Sequence, residues 1–380
     1  MQGKIRRIQN MKMRAAVMTE VGKPVEIRGV ELDKPKANEV LVQIKATAVC
    51  HSDLNTLNDP TTPIPQVLGH EGAGVVVETG PNVTKCKVGD KVALSWVPFC
   101  GTCPNCVAGQ VTLCEMAFGP MFAGTLLDDT SRMTMDGKTC YHSSLLSTFA
   151  EYTVVPELSC VVIPDEMPMA QACMIGCGVA TGYGASVRAA GVRAGSSVAI
   201  FGIGAVGANA IQGAVLSGAR KVIACDIKDD NLETAKQFGV TDVLNTQSVE
   251  DVAAAVKEIN GGCGVDYAID CTGIPAVGTD AWLSTRKGGT TVVIGAYPAD
   301  GQLTLPSGSF HRIGKVLKGS FYGDVNPFED FPKIAELYLA GKYKLDELVI
   351  EKITLDEINK AFDAFHDPTA KNMGRYIVEF

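Results

Sequence analysis

Hydrophobic and polar positions follow two rhythms along this chain, and the change between them divides it. From Arg14 to about Glu157, short β-type runs alternate with Gly, Pro and Asn, and Val40, Val42, Ile44 and Ala46 fall on one face of such a run. The pattern predicts a compact, mostly antiparallel β unit. Between Thr181 and about Tyr322, strand candidates at 197–201, 221–225, 243–244, 265–270, 290–295 and 314–319 alternate with helical stretches. Six strands joined by crossovers predict a doubly wound parallel sheet. From Gly323 the character is mixed again, with helices expected over Phe328–Ala340 and Leu355–Phe365, and this tail is expected to fold back onto the first unit. Neither a fixed-period repeat nor a low-complexity tract interrupts the scheme. The expectation is an α/β chain of two domains, one of them discontinuous.

Composition narrows the function classes. With 46% hydrophobic residues among 380, the chain can bury a sizeable core. Its 34 basic and 42 acidic residues leave a net charge of −8 with no long run of one sign, so there is no electrostatic footprint for nucleic acid or an anionic membrane. The most apolar stretch, Val198–Leu216, approaches the length of a membrane span, but its glycines, Asn209 and Gln212 suit a nucleotide-binding turn better. Residues 1–10 carry Lys4, Arg6 and Arg7 without an apolar core, and are expected to be a disordered extension upstream of Met11 or Met13 rather than a secretory signal. Thirteen cysteines, four of them within fifteen residues, point to metal ligation in a reducing, cytoplasmic setting rather than to disulfides.

After the apolar run Ser197–Phe201 comes Gly202-x-Gly204-x-x-Gly207, then a helical stretch, then a second strand ending at Asp226. Gly202 permits the tight turn, Gly204 the approach of backbone to a pyrophosphate, and Gly207 close helix packing, while the helix N-terminus favours phosphate charge. Asp226 lies nineteen residues beyond Gly207, where a carboxylate accepts from both ribose hydroxyls and repels a 2′-phosphate. NAD is favoured over NADP.

Cys100, Cys103 and Cys106 at C-x-x-C-x-x-C spacing, with Cys114 following Cys106 after seven intervening residues, suit a closed tetrahedral zinc site of structural type. An iron–sulfur cluster competes for three of these cysteines, but the fourth lies too far on and no proline follows it. A second, dispersed set is Cys50, His70 within Gly69-His70-Glu71-Gly72, and Cys177 between Gly176 and Gly178. Two thiolates and an imidazole would leave the fourth zinc position open, as catalysis requires. Spacing alone does not join these three residues.

With Gly69-His70-Glu71-Gly72, the Cys100 to Cys114 spacing, Gly176-Cys177-Gly178 and the glycine fingerprint in this order, the chain from Arg14 to Phe380 resembles the zinc-containing medium-chain alcohol dehydrogenases. The resemblance implies a chaperonin-10-like, mostly β catalytic domain, residues 11–178 and 323–380, around a Rossmann NAD-binding domain, 179–322, with the active site in the cleft between them. It makes Cys50, His70 and Cys177 the catalytic zinc ligands, Glu71 a carboxylate able to approach the metal, and Asp53 the acid that orients His70. Ser52 matches the hydroxyl that accepts the alcohol proton. His51 and Arg375 match positions that touch the pyrophosphate, Thr181 and Val206 positions behind the nicotinamide, and Trp96, Phe118, Ala296 and Phe321 are expected to line the substrate pocket. Two zinc ions per chain, NAD, a small-molecule alcohol or aldehyde substrate and a homodimer or homotetramer are implied, with Leu303–Leu305 and Lys315–Ser320 as candidate contacts between subunits.

Two departures from the family pattern shape the substrate and the proton route. Glutathione-dependent formaldehyde dehydrogenases of the family carry an arginine four residues after the last structural cysteine, where this chain has Phe118. Apolar primary alcohols and aldehydes, aliphatic or aromatic, are therefore expected, with little activity on S-hydroxymethylglutathione. The histidine that ends the proton relay in many relatives is here Asn55, which does not titrate near neutrality, so the relay is expected to end at His51, the nearest titratable candidate, or directly in water. The stretch Gly191-Val192-Arg193-Ala194-Gly195 and the run through Gly213 are similar to bacterial nicotinoprotein alcohol dehydrogenases, whose NAD stays bound. A nucleotide-binding protein without catalysis is the alternative of another class.

Overall fold

The computed structural model describes residues 11–307, 310–367, 370 and 373–380, so the expected extension at residues 1–10 lies outside the described residues. The alternating pattern of the first 160 residues is resolved into two β-layers. Met11–Met18, Glu26–Leu32, Met133–Met135, Lys138–His142 and Gln66–Val67 close a small barrel. Beside it, a sheet runs in the order Cys160–Val162, Lys91–Leu94, Glu71–Thr79, Glu39–Val49, Arg375–Glu379 and Val349–Ile353, with Tyr152–Pro156 also paired to Glu39–Val49. Val40, Val42, Ile44 and Ala46 are all fully buried, as one face of an inner strand should be.

The tail returns to this sheet. Tyr376 pairs with Val49 and Glu379 with Ala46, antiparallel, so the C-terminal strand lies against the strand that ends at Cys50. The helix Pro327–Leu339 starts with proline in its first turn, where no N–H is needed. The second expected helix begins as a 3₁₀ turn, Leu355–Glu357, whose Thr354/Glu357 capping box leads into Ile358–His366. Its Ile358, Ala361 and Phe362 are buried at i, i+3 and i+4.

The second rhythm produces a six-stranded sheet in the order Asp242–Asn245, Lys221–Asp226, Ser197–Phe201, Val265–Asp270, Thr285–Val293 and Val316–Gly319, parallel at every pairing. Two strand starts differ from expectation. Thr285 rather than residue 290 opens the fifth strand, because a register shift opposite Val265–Tyr267 absorbs the extra residues. The sixth begins at Val316, two residues beyond Gly314, whose φ of +56° ends the preceding turn.

Between the two units runs a helix that periodicity does not reveal. Met169–Met174 continues through a π-helical segment Ile175–Val179, an α-helical stretch Ala180–Gly184 and a second π-helical segment Ala185–Ala190. It contains Gly176, Gly178, Gly182 and Gly184. Each costs a free helix about 1 kcal/mol relative to alanine, so packing rather than propensity holds it.

Candidate active site and metal centres

Cys50 stands at the junction of the strand Glu39–Val49 and the short helix His51–Asn58, capping the latter. Its backbone N–H donates to Asp53 Oδ2 at 2.9 Å, while Asp53 Oδ1 lies 2.8 Å from His70 Nδ1. One buried carboxylate therefore both closes the helix start and fixes the imidazole, leaving Nε2 free for a metal. His70 and Glu71 lead into the strand Glu71–Thr79. Cys177 comes from the first π-helical segment, and its neighbouring glycines are there for close approach: a Cβ on Gly176 would lie 2.6 Å from the Leu94 carbonyl oxygen, and one on Gly178 would lie 2.6 Å from Arg375 Nη2.

The ligand atoms of Cys50, His70, Glu71 and Cys177 all lie within 4.8 Å of one another. Two sulfurs, an imidazole nitrogen and a carboxylate oxygen in a buried cluster fit zinc, whose borderline softness suits this mixture. The local charges agree. The Cys50 thiol is drawn well below its ordinary value by the hydrogen bond with Cys177, against the effect of burial, with Arg375 and His70 adding to the fall. Burial works to lower His70, yet Asp53 raises it well above its ordinary value. Burial lifts Glu71 to about 6 even though Arg375 opposes it.

Arg375 is turned toward this centre. Its Nη2 donates to Glu71 Oε1 at 2.9 Å and to Cys50 Sγ at 3.2 Å, and its Nη1 to the Gly374 carbonyl at 3.1 Å. Glu71 Oε1 also accepts from the Gly178 N–H at 3.1 Å. Ser52 is exposed, its Oγ 3.8 Å from Cys50 Sγ. His51 is exposed with its ring 5.1 Å from that of Phe365, and Asn55 is exposed nearby. Cys50, His51, Ser52, Asn55, Phe365 and Arg375 border one cleft of about 1520 Å³.

The second metal cluster has a different design. The sulfurs of Cys100, Cys103, Cys106 and Cys114 converge within 4.8 Å. Cys100 Sγ accepts from the N–H groups of Thr102 at 3.4 Å and Cys103 at 3.2 Å, and Cys114 Sγ from that of Cys100 at 3.3 Å. These donors favour thiolates. Cys100 is held at about 6, chiefly by its hydrogen bonds from Thr102, whereas burial lifts Cys106 to about 12. Four sulfurs fill a tetrahedron and leave no open position.

The coenzyme end of the cleft is the turn after Ser197–Phe201. Gly202 has φ +84°, Gly204 caps the helix Ala205–Leu216, and a Cβ on Gly207 would lie 2.1 Å from the Gly202 carbonyl oxygen. Asp226 ends its strand in the same cleft. Its Oδ2 accepts from the Ile203 N–H at 2.6 Å and its Oδ1 from the Lys228 N–H at 2.8 Å, so the carboxylate also braces the glycine turn. Thr181 and Val206 border the cleft between this turn and the metal cluster.

Trp96, Ala296 and Phe321 border the cleft as well. Trp96 meets Phe321 edge-on with centroids 5.1 Å apart and lies 6.4 Å from the His70 ring. Phe118 is placed differently from expectation. It does not border the cleft but packs against Phe321 from behind, centroids 5.5 Å apart, because its helix, Glu115–Ala123, presents it to that ring. Tyr322, which carried no motif in the sequence, completes the wall at 4.4 Å from Trp96.

Two family profiles match the chain: the alcohol dehydrogenase GroES-like domain over residues 36–165 and the zinc-binding dehydrogenase profile over residues 205–340. The S-(hydroxymethyl)glutathione dehydrogenase of Paracoccus denitrificans is 40% identical over 366 residues, 94% of this chain and 97% of the relative. The class-3 alcohol dehydrogenase of Cereibacter sphaeroides is 41% identical over 368 residues, again covering 94% and 97%. The chain belongs to the zinc-dependent medium-chain alcohol dehydrogenases.

Among solved structures, an alcohol dehydrogenase zinc-binding domain protein from Burkholderia ambifaria superposes with a TM-score of 0.92 at 34% identity, covering 98% of this chain and 99% of that one. Benzyl alcohol dehydrogenase from Acinetobacter calcoaceticus gives 0.90 at 33% identity, covering 97% and 99%. As a zinc alcohol dehydrogenase the protein is an oxidoreductase with zinc and NAD as cofactors, built from a GroES-like catalytic part and a Rossmann part. Membership also decides between zinc and an iron–sulfur cluster at Cys100, Cys103, Cys106 and Cys114, and it sets aside a nucleotide-binding protein without catalysis. Among the described residues, no helix is long and apolar enough to cross a membrane.

Proposed function

We propose that this alcohol dehydrogenase interconverts small apolar primary alcohols, aliphatic or aromatic, and their aldehydes. The observation that carries the reading is the aromatic wall: Trp96 and Phe321 face the cleft, Phe118 backs Phe321, and no cation stands at position 118. Relatives named for S-(hydroxymethyl)glutathione act on an anionic adduct, and this chain parts from them there. The benzyl alcohol dehydrogenase likeness favours aromatic members of the class. A panel of primary alcohols, benzyl alcohol and S-hydroxymethylglutathione tests the proposal by kcat/KM. Benzyl or aliphatic alcohols should lead, and a highest kcat/KM on the glutathione adduct would overturn the reading.

Cys50, His70 and Cys177 would hold zinc, which would supply the Lewis acidity that lowers the alcohol pKa, and NAD would supply the hydride acceptor. Asp53 holds the His70 tautomer. Ser52 Oγ would accept the alcohol proton as its own passes to His51 or to solvent, and Thr181 and Val206 would support the nicotinamide. Glu71 and Arg375 balance charge beside the metal, with Arg375 and His51 bordering the cleft where the pyrophosphate runs. Gly202, Gly204 and Gly207 would cradle the phosphates and Asp226 would select NAD, with Ala296 bordering the same cleft.

This assignment divides the chain into a catalytic domain, 11–178 and 323–380, and an NAD domain, 179–322. The edge strand Val316–Gly319, which ends the six-stranded sheet with Val316 half exposed, supports a homodimer or homotetramer. Thirteen free cysteines favour the cytoplasm.

A further inference from the structure

Tyr322 is a bulky residue in a conformation that costs it energy. Its φ is +60°, its ring is buried at 3% exposure, and it sits where the last strand of the parallel sheet gives way to the C-terminal tail. Several contacts hold it there. The ring lies 4.4 Å from Trp96 and 6.5 Å from Phe331 by centroids, and the hydroxyl donates to the carbonyl of Gly176. The phenol thus ties the turn after the last strand to the residue before Cys177.

The Gly176 end of that bridge is a point that needs support. Gly176 and Cys177 lie in the π-helical segment Ile175–Val179, a rare widened turn of the kind that interrupts α-helices at functional sites. Gly176 is already pressed against the Leu94 carbonyl on one side. The turn following Tyr322 presses on the same helix further along, since a Cβ on Gly323 would lie 2.5 Å from the Thr181 carbonyl oxygen.

We propose that Tyr322 is a positioning residue for the catalytic metal site: its hydroxyl, bound to the Gly176 carbonyl, holds the π-helical turn so that Cys177 Sγ stays in register with Cys50 and His70. The proposal rests on reading Cys50, His70 and Cys177 as the zinc ligands. The ring and the hydroxyl have separable tasks. The ring supports Trp96 in the alcohol pocket, and the hydroxyl sets the sulfur.

The test compares Tyr322→Phe and Tyr322→Leu with the wild type, each as purified holoenzyme, by following zinc release to a chelator with a colorimetric indicator. Outer-shell hydrogen bonds of this kind change metal affinity by about 10- to 100-fold, so Tyr322→Phe should release one zinc at least about tenfold faster and the other at the wild-type rate. After cobalt replaces the fast-exchanging zinc, its visible absorption should shift in Tyr322→Phe relative to wild type, a change that ring packing alone does not produce. Tyr322→Leu should show both effects and in addition raise KM for apolar alcohols, while Tyr322→Phe leaves KM unchanged. Wild-type release rates and an unshifted cobalt spectrum in Tyr322→Phe would overturn the proposal and leave Tyr322 a packing residue. A wild-type protein that binds a single zinc would instead overturn the ligand assignment beneath it. Circular dichroism and Tm establish that each variant is folded, and if Tyr322→Leu unfolds, Tyr322→Phe alone decides.

Discussion

Asp226 shows how one side chain can serve two needs at once. Its carboxylate faces the cleft where the adenosine ribose is expected, and it accepts the Ile203 N–H inside the glycine turn at 2.6 Å. Asp226→Ser should therefore raise the ratio of NADP to NAD use by about tenfold or more, through lost repulsion of the 2′-phosphate. It should also weaken NAD, because the turn loses a brace. Steady-state kcat/KM with both coenzymes checks this, and an unchanged ratio would contradict it. Ser52 and Asn55 separate in the same way. Both border the cleft, but only the serine lies near a zinc-ligand sulfur, and an amide does not titrate near neutrality. Ser52→Ala should slow hydride transfer by about a hundredfold and Asn55→Ala by less than about twofold, read in pre-steady-state bursts. Asp226 was legible from its type and its spacing after the glycine turn, whereas Ser52 and Asn55 were read only through the family resemblance. Tyr322 was not legible, since a tyrosine between two units has no signature until its hydroxyl is seen on Gly176.

At the scale of elements, two metal-binding segments of opposite character can be told apart by experiment. The segment from Cys100 to Cys114 has only the short helix Pro104–Val107 and the turn Val111–Leu113 to hold it, so its four sulfurs and their metal do most of that work. Cys103→Ala should lower Tm by at least about 5 °C. Cys177→Ala should leave Tm within about 3 °C, because the helix around it is anchored by packing, yet it should abolish turnover and drop bound zinc from two ions to one. Differential scanning fluorimetry with metal analysis checks both. The first segment could be read from spacing, since four cysteines close in sequence must be close in space. The second could not. The helix Met169–Ala190 carries four glycines that lower its propensity, and it exists because those glycines let other backbone and Arg375 come close. A local pattern has no term for that.

For the whole molecule, acid stability has a predictable sign. His142 is fully buried in the barrel, with the Arg132 N–H donating to its Nε2 at 3.3 Å, and burial first, then the Arg132 charge, depress its pKa from 6.5 to about 3. The unfolded chain takes up this proton below about 6.5 and the folded one only near 3, so folding stability is full above pH 6.5 and is lost as pH falls through that window. Between pH 7 and 4.5 the loss from this residue is on the order of 2 kcal/mol, and His142→Gln should fall less steeply over the same range. Equal slopes in urea melts across these pH values would contradict this. On the same scale, the sequence alone determined the two rhythms, the parallel sheet with its glycine turn and terminal acid, and the four-cysteine loop, because each depends on residues near one another in the chain. The tertiary structure decided what distance along the chain conceals. Cys50, His70 and Cys177 meet because antiparallel pairing sets Ala48 opposite Glu71 and close packing lays the glycine-rich helix beside them. Phe118 stands behind the pocket rather than in it because its helix is oriented by packing on Phe321. Contacts of this kind are fixed by burial and excluded volume among residues far apart in the chain, 304 positions for Arg375 and Glu71, and no local period records them.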